Sequence, residues 1–229
     1  MDLLEEGLKD PISHWYYKHK YNEIIHKILK YKSEFKTLSD IGSGSAVFSK
    51  KLSQDFPNSN FHLVDINYTP EQISKSTSKM NYTKEIQPAD IFLLTDVLEH
   101  IEEPKEFFQQ ICKLGKNDDL IVITVPAFMQ LWSGHDVFLK HYRRYTKSSL
   151  LLELEGTPIE ILDTKFLYQA LFLPTYIYRK LFGREHSSQL KQSNRIFESA
   201  IDLLLRFERA ANLKFPLGVS ILLTARIKK

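Results

Sequence analysis

The sequence predicts an α/β protein built on a parallel sheet with helices on its faces. Three observations carry this. Residues 37–48, TLSDIGSGSAVF, read as a strand, a tight glycine turn and the start of a helix. The runs FHLVDI at 61–66, IFLL at 91–94 and LIVITV at 120–125 are almost continuously apolar, the pattern of strands covered on both faces. Stretches of helical periodicity lie between them, the alternation that builds parallel crossovers.

Taken in order, residues 11–32 predict a helix. Pro11 suits its start, and Trp15, Ile24, Ile25, Ile28 and Leu29 recur at roughly helical spacing. Its aromatic opening, HWYYKHK, supports either packing on the sheet or a lid, with Tyr16 or Tyr17 over a ligand and Lys20 near a charge. In the glycine turn, Gly42 and Gly44 allow backbone angles and a ligand approach that a Cβ forbids. Ser43 and Ser45 offer caps for a helix over 45–56. Residues 57–60, PNSN, make a turn before the strand at 61–66. A helix over 70–79 and a short strand within 81–87 follow. After the strand at 91–94, residues 97–101 form a helical turn or loop. Pro104 then starts a helix that presents Phe107, Phe108, Ile111 and Leu114 on one face and stops at Gly115. Pro126 ends the next strand. Thr146 caps a helix to 155, and 159–166 and 218–227 are the last two strands.

The expected organisation is one domain: an N-terminal helical lid (1–36), a core (37–166), a helical insertion (167–215) and a last strand (216–229). The insertion opens on FLYQALFLPTYIYRKLFGR at 166–184, continues through a polar link at 185–193, and closes with an amphipathic helix at 194–212. Its first stretch is too short, and too interrupted by Gln169 and Pro174, to cross a bilayer. It could lie at a membrane surface with Arg179, Lys180 and Arg184 at the headgroups, cap the substrate pocket, or form a dimer face.

A chain of 229 residues buries a substantial core without staples. A formal charge of +3 gives no argument for a nucleic-acid partner. The single cysteine, Cys112, excludes an internal disulfide framework and a multi-cysteine zinc site. The start, MDLLEEGLKD, lacks the apolar run of a signal peptide, which predicts a cytoplasmic protein.

The residues around the glycines point to a ligand. A dinucleotide fingerprint would place a third glycine near Val47. Asp40, two residues before Gly42, suits a cationic group better than a pyrophosphate. Asp65, about twenty residues on, suits a ribose. An amine, a ribose and no required phosphate describe S-adenosylmethionine better than NAD.

DIGSGS, VDI, LLTDVLEHIEEP and LIVITVP together resemble the class I S-adenosylmethionine-dependent methyltransferases, in the branch of ubiquinone-biosynthesis-type enzymes. HWYY and LWSGHDVFLKHYRRYTKSSL resemble a bacterial subgroup found with glycan and lipid biosynthesis enzymes. The resemblance implies a Rossmann-like seven-stranded sheet whose last strand inserts antiparallel beside the preceding one. It implies that Asp40, Gly42, Ser43 and Gly44 surround the methionine portion of the cofactor. Asp65 would hold the ribose, Ile66 would neighbour the adenine, and Thr95 and Asp96 would stand beside the sulfonium and its tail. His100 could face the reaction centre or bind the next loop.

The segment after Pro126 is the expected acceptor site, because it follows a strand end. Trp132, His135, Tyr142, Arg143 and Arg144 are candidate acceptor contacts, joined by Tyr17 from the first helix. His141 is the second candidate base, since His with Asp136 could make an oriented one. The paired arginines suit a carboxylate or phosphate, or else brace the loop through carbonyls and acids. A metal held by His135, Asp136 and His141 lacks a familiar ligand spacing, and no metal is expected. The predicted activity is methyl transfer to a small or lipid-linked acceptor, at oxygen by analogy. A non-catalytic binding subunit of the same fold and an NAD-dependent oxidoreductase are the alternatives.

Overall fold

The computed structural model describes residues 11–182, 195–211 and 215–229. The stretch before the glycine turn forms β1 (Thr37–Ile41), the apolar runs form β2 (Asn60–Val64), β4 (Ile91–Thr95) and β5 (Leu120–Pro126), and a shorter strand, β3 (Met80–Thr83), pairs beside β2. The final pair is β6 (Ile159–Leu167) and β7 (Ser220–Ile227). They make one seven-stranded sheet in the order β3-β2-β1-β4-β5-β7-β6. β7 runs antiparallel between β5 and β6, as expected, and the other neighbours are parallel. The strand order reverses between β1 and β4, which opens a crevice at their C-terminal ends.

Each face of the sheet buries its own core. On one, Tyr17, Tyr21, Ile24 and Ile28 of α1 (Trp15–Tyr31) pack with Leu38, Phe61, Leu63 and Ile91. On the other, Phe108 and Ile111 of α4 (Pro104–Leu114) and Leu150 of α6 (Lys147–Leu154) cover Phe92, Leu94, Ile121 and Ile123. Two cross-links pin α1 to β6: Lys165 Nζ lies 2.8 Å from Glu23, and Lys27 bonds to Asp163.

Several boundaries differ from those read in the sequence. α2 is Val47–Asp55, and its cap is Ala46 in the left-handed region, with no side chain capping it. Ser43 instead bonds to the Val64 carbonyl and the Tyr68 hydroxyl, while Ser45 Oγ is buried without a partner. The helix expected over 70–79 stops early, as α3 (Pro70–Ser74). Ser74 and Ser76 turn their hydroxyls onto the Glu71 and Ile73 carbonyls, the local bonding by which serines compete with helix propagation. The following strand is correspondingly earlier than 81–87.

Between β6 and β7 the described residues form two helices, α7 (Phe172–Phe182) and α8 (Arg195–Ala210). α8 is held to α1 by Lys18–Asp202 at 3.0 Å, and its Glu208 accepts the Ala170 backbone N–H at 3.0 Å. The polar link expected at 185–193, Arg184, and the first ten residues of the expected lid lie outside the described residues.

Candidate functional site

A cavity of about 250 Å³ opens at the C-terminal end of β4 and β5. α1 contributes Trp15, Tyr16 and Tyr17 to its wall; the end of β4 contributes Thr95, Asp96, Glu99 and His100. His135 and Leu139, from and just after the short α5 (Gly134–Phe138), join His141 and Arg144 on the next side. Leu171, Thr175 and Arg179 close it from α7 and the turn before it. Asp96 and Tyr168, both lining residues, hold positive φ angles of 54° and 56°. Left-handed backbone at non-glycine residues is costly and concentrates at functional sites.

Asp96 is the hub of the cavity end at β4. Lys20, fully buried, bonds to its Oδ2; Tyr16 donates to the same oxygen at 3.2 Å, and Thr124 donates to Oδ1 at 3.0 Å. Burial would raise this carboxyl, but the Lys20 ammonium holds it below its ordinary value. Burial would likewise depress Lys20, and Asp96 keeps it raised. Glu99 behaves oppositely. It is fully buried, neither carboxyl oxygen has a partner, and burial with the nearby Asp96 charge pushes it well above the usual range. Loss of hydration on burial favours the protonated form of a carboxyl.

Asp136 organises the other end. It is fully buried and accepts from the Ser133 N–H at 2.9 Å, from Arg144 Nε at 2.7 Å and from Arg179 Nη1 at 3.4 Å. His141 Nδ1 lies 3.0 Å from its Oδ1. Against burial, the His141 hydrogen bond and the Arg144 charge hold this carboxylate far below its usual range. An imidazole that donates from Nδ1 keeps an Nε2 lone pair for accepting a proton. The His100 and His141 rings meet edge to face at 4.7 Å.

The glycine turn lies beside this cavity rather than in its wall. Gly42 has φ +68°, and a Cβ there would sit 2.6 Å from Val97 Cγ2. Asp65 is half-buried and accepts the Gly44 N–H at 3.0 Å and the Asn67 N–H at 2.9 Å. Asp40 is buried; Ser49 donates to its Oδ2 at 2.7 Å, while Oδ1 has no partner. Burial pushes its carboxyl up to about 6. Ile66, two residues past the end of β2, is 77% exposed. An orphaned buried carboxylate oxygen, a half-buried acid and a bare apolar platform around one turn fit an amine, a ribose and a flat ring. The residues present therefore fit the cofactor implied by the sequence resemblance.

The fold brings most of the candidates together and separates some. Tyr17, Thr95, Asp96, His100, His135, His141 and Arg144 line the cavity. Trp132, Tyr142 and Arg143 are not among its lining residues. Arg143 donates to the Glu102 carbonyl at 2.8 Å and faces Glu153 at 3.7 Å, so it braces the loop. Tyr142 is 55% exposed. Asp136, one of three residues whose spacing argues against a metal set with His135 and His141, is engaged by Arg144, Arg179 and His141. Among the described residues, Glu99, His100 and His141 do present ligand atoms within 4.8 Å of one another. The Lys20 charge beside Glu99 opposes a second cation there. Sequence reasoning missed Glu99 and Arg179 as lining residues. Of the alternatives for 166–184, the membrane-surface one puts Arg179 at lipid headgroups; the side chain instead turns inward and bonds to the Leu131 carbonyl and Asp136.

A methyltransferase-domain family profile matches residues 13–164. The chain belongs to this methyltransferase-domain family. No curated protein matches the sequence. Among solved structures, the plantazolicin methyltransferase BpumL in complex with SAH aligns with TM-score 0.56 at 13% identity, over 99% of this chain and 93% of that one. N-methyltransferase NodS from Bradyrhizobium japonicum WM9, also in complex with SAH, aligns with TM-score 0.55 at 11% identity, over 97% and 94%. The [4+2]-cyclase SpnF aligns with TM-score 0.56 at 13% identity, over 90% and 80%. At these identities the likeness is one of fold, and the cyclase carries different chemistry on it.

Proposed function

We propose that the protein transfers a methyl group from S-adenosylmethionine to the oxygen of a small or lipid-linked acceptor bound in the cavity. The observation that carries this reading is His141 in the cavity wall that also holds Asp96, with the buried Asp136 carboxylate 3.0 Å behind its Nδ1. When bound, the cofactor supplies an activated methyl carbon on a sulfonium, which leaves as a neutral thioether. The chain has three tasks. Asp40, Gly42, Ser43, Gly44, Asp65, Ile66, Thr95 and Asp96 hold the donor. The aromatic wall of Trp15, Tyr16 and Tyr17 covers the acceptor and excludes water. His141 Nε2 takes the hydroxyl proton as the new O–C bond forms, and Asp136 stabilises the imidazolium. Positioning supplies much of the acceleration in such a displacement, and the base matters because an alcohol must lose its proton.

The lipid-linked acceptor draws support from α7, whose outer face exposes Leu173, Ile177, Tyr178 and Leu181 beside Lys180. No described helix is long and apolar enough to cross a membrane. Contact through this face would be peripheral, by a cytoplasmic protein.

The test is turnover of labelled S-adenosylmethionine against a panel of alcohols, phenols, amines and lipid extracts. An oxygen-methylated product lost in His141→Ala, with S-adenosylhomocysteine affinity retained, supports the reading. Methylation only of amines, or turnover unaffected by His141→Ala, removes the oxygen assignment or the base.

A further inference from the structure

The end of the cavity away from Asp96 carries more positive charge than the chain neutralises. Arg144 and Arg179 both approach the single carboxylate of Asp136, which also serves His141. Asp96 is matched by Lys20, and burial raises the Glu99 carboxyl well above its usual range. Two guanidinium groups share the one Asp136 carboxylate, so one is in excess there.

That guanidinium belongs to Arg179. Arg144 satisfies itself twice, on Asp136 Oδ1 at 2.7 Å and on the Ala127 carbonyl at 3.2 Å. Arg179 bonds to the Leu131 carbonyl and reaches Asp136 only at 3.4 Å, all through Nη1. Its Nε is buried and has no acceptor, in a side chain only 9% exposed. Burial pulls the group down to about 10, so it remains a cation at neutral pH. A buried charge with an unmet donor is destabilising until an anion completes it. The planar fork of a guanidinium matches a carboxylate or phosphate better than any neutral group. Leu139 and Leu171, in the same cavity wall, suit an apolar body.

We infer that Arg179 reads an anionic group on the acceptor, so the substrate class is an apolar hydroxyl compound bearing a carboxylate or phosphate. This deepens the methyltransferase reading and rests on it. Arg144 is a positioning residue here, since it fixes Asp136 against which Arg179 is set. The same anion could be a free carboxylate or phosphate ester, or the phosphate of a lipid.

The experiment is calorimetric titration of the full chain, saturated with S-adenosylhomocysteine, with benzoate, phenyl phosphate and neutral benzyl alcohol. The wild type should bind one or both anions about tenfold or more tighter than the alcohol. Equal affinity for the anions and the alcohol would overturn the inference whatever the variants do. Arg179→Gln should weaken the anions by about tenfold or more and leave benzyl alcohol unchanged, while Arg179→Lys should recover part of the loss. Anion affinity unchanged in a folded Arg179→Gln protein also overturns it. A second arm competes the bound phenyl phosphate with phosphatidic acid vesicles against phosphatidylcholine vesicles. Displacement by the acidic vesicles alone assigns the anion to a lipid; displacement by neither assigns it to a soluble acceptor. Absent S-adenosylhomocysteine binding in the wild type would instead remove the methyltransferase reading on which the inference stands.

Discussion

Lys20 and Asp96 form an ion pair between the first helix and the tip of β4, 76 positions apart in sequence. The partners are unequal: the Lys20 side chain is fully buried and that of Asp96 is 28% exposed. Asp96→Asn strands an ammonium with no access to water, whereas Lys20→Met leaves a carboxylate that water can reach. Asp96→Asn should therefore be the more destabilising change, by about 3 kcal/mol or more, and the double variant should recover part of that loss. Denaturant midpoints of the four proteins check this. Equal losses in the two single variants would contradict the asymmetry.

Asp65 holds the glycine turn through the Gly44 N–H and offers its carboxylate at the crevice. Asp65→Ala should weaken S-adenosylmethionine binding by about tenfold or more while the protein stays folded. Unchanged affinity in calorimetry would remove the ribose assignment.

The Asp40 carboxyl stands at about 6 in the ligand-free protein. A cationic group of the cofactor binds only the ionised form and lowers this value in the complex. Affinity should accordingly be full well above pH 6 and fall as the pH drops through about 6. Asp40→Asn should abolish the step and bind weakly at all pH values. A flat affinity profile between pH 5 and pH 8 in the wild type would show that Asp40 does not meet the cation.

Arg143 touches Glu102 and Glu153 and lies outside the cavity wall. Arg143→Ala should cost about 0.5–1 kcal/mol of stability and leave acceptor turnover unchanged. Lost turnover with normal stability would return Arg143 to the acceptor site.

The framework was legible because it is written locally. Near-continuous apolar runs became β2, β4 and β5, the stretch before the glycine turn became β1, Thr146 capped its helix, and Gly115 ended another. The cluster of His135, Asp136, His141 and Arg144 could be seen as a chemical group because all four lie within ten residues. What could not be read depends on contacts between distant segments. Nothing local marks Lys20 as the partner of Asp96. A basic pair at the end of an apolar helix reads as a surface feature, yet Arg179 turns inward while its neighbour Lys180 stays exposed. Glu99 follows the same logic: a glutamate is ordinarily solvated, and only the packing of the β4 tip buries this one.

The central claim is that the glycine turn holds S-adenosylmethionine. The most direct test is calorimetric titration of the purified protein with S-adenosylmethionine, S-adenosylhomocysteine and NAD. The account predicts binding of the first two and none of NAD. Binding of NAD, or of none of the three, would contradict it.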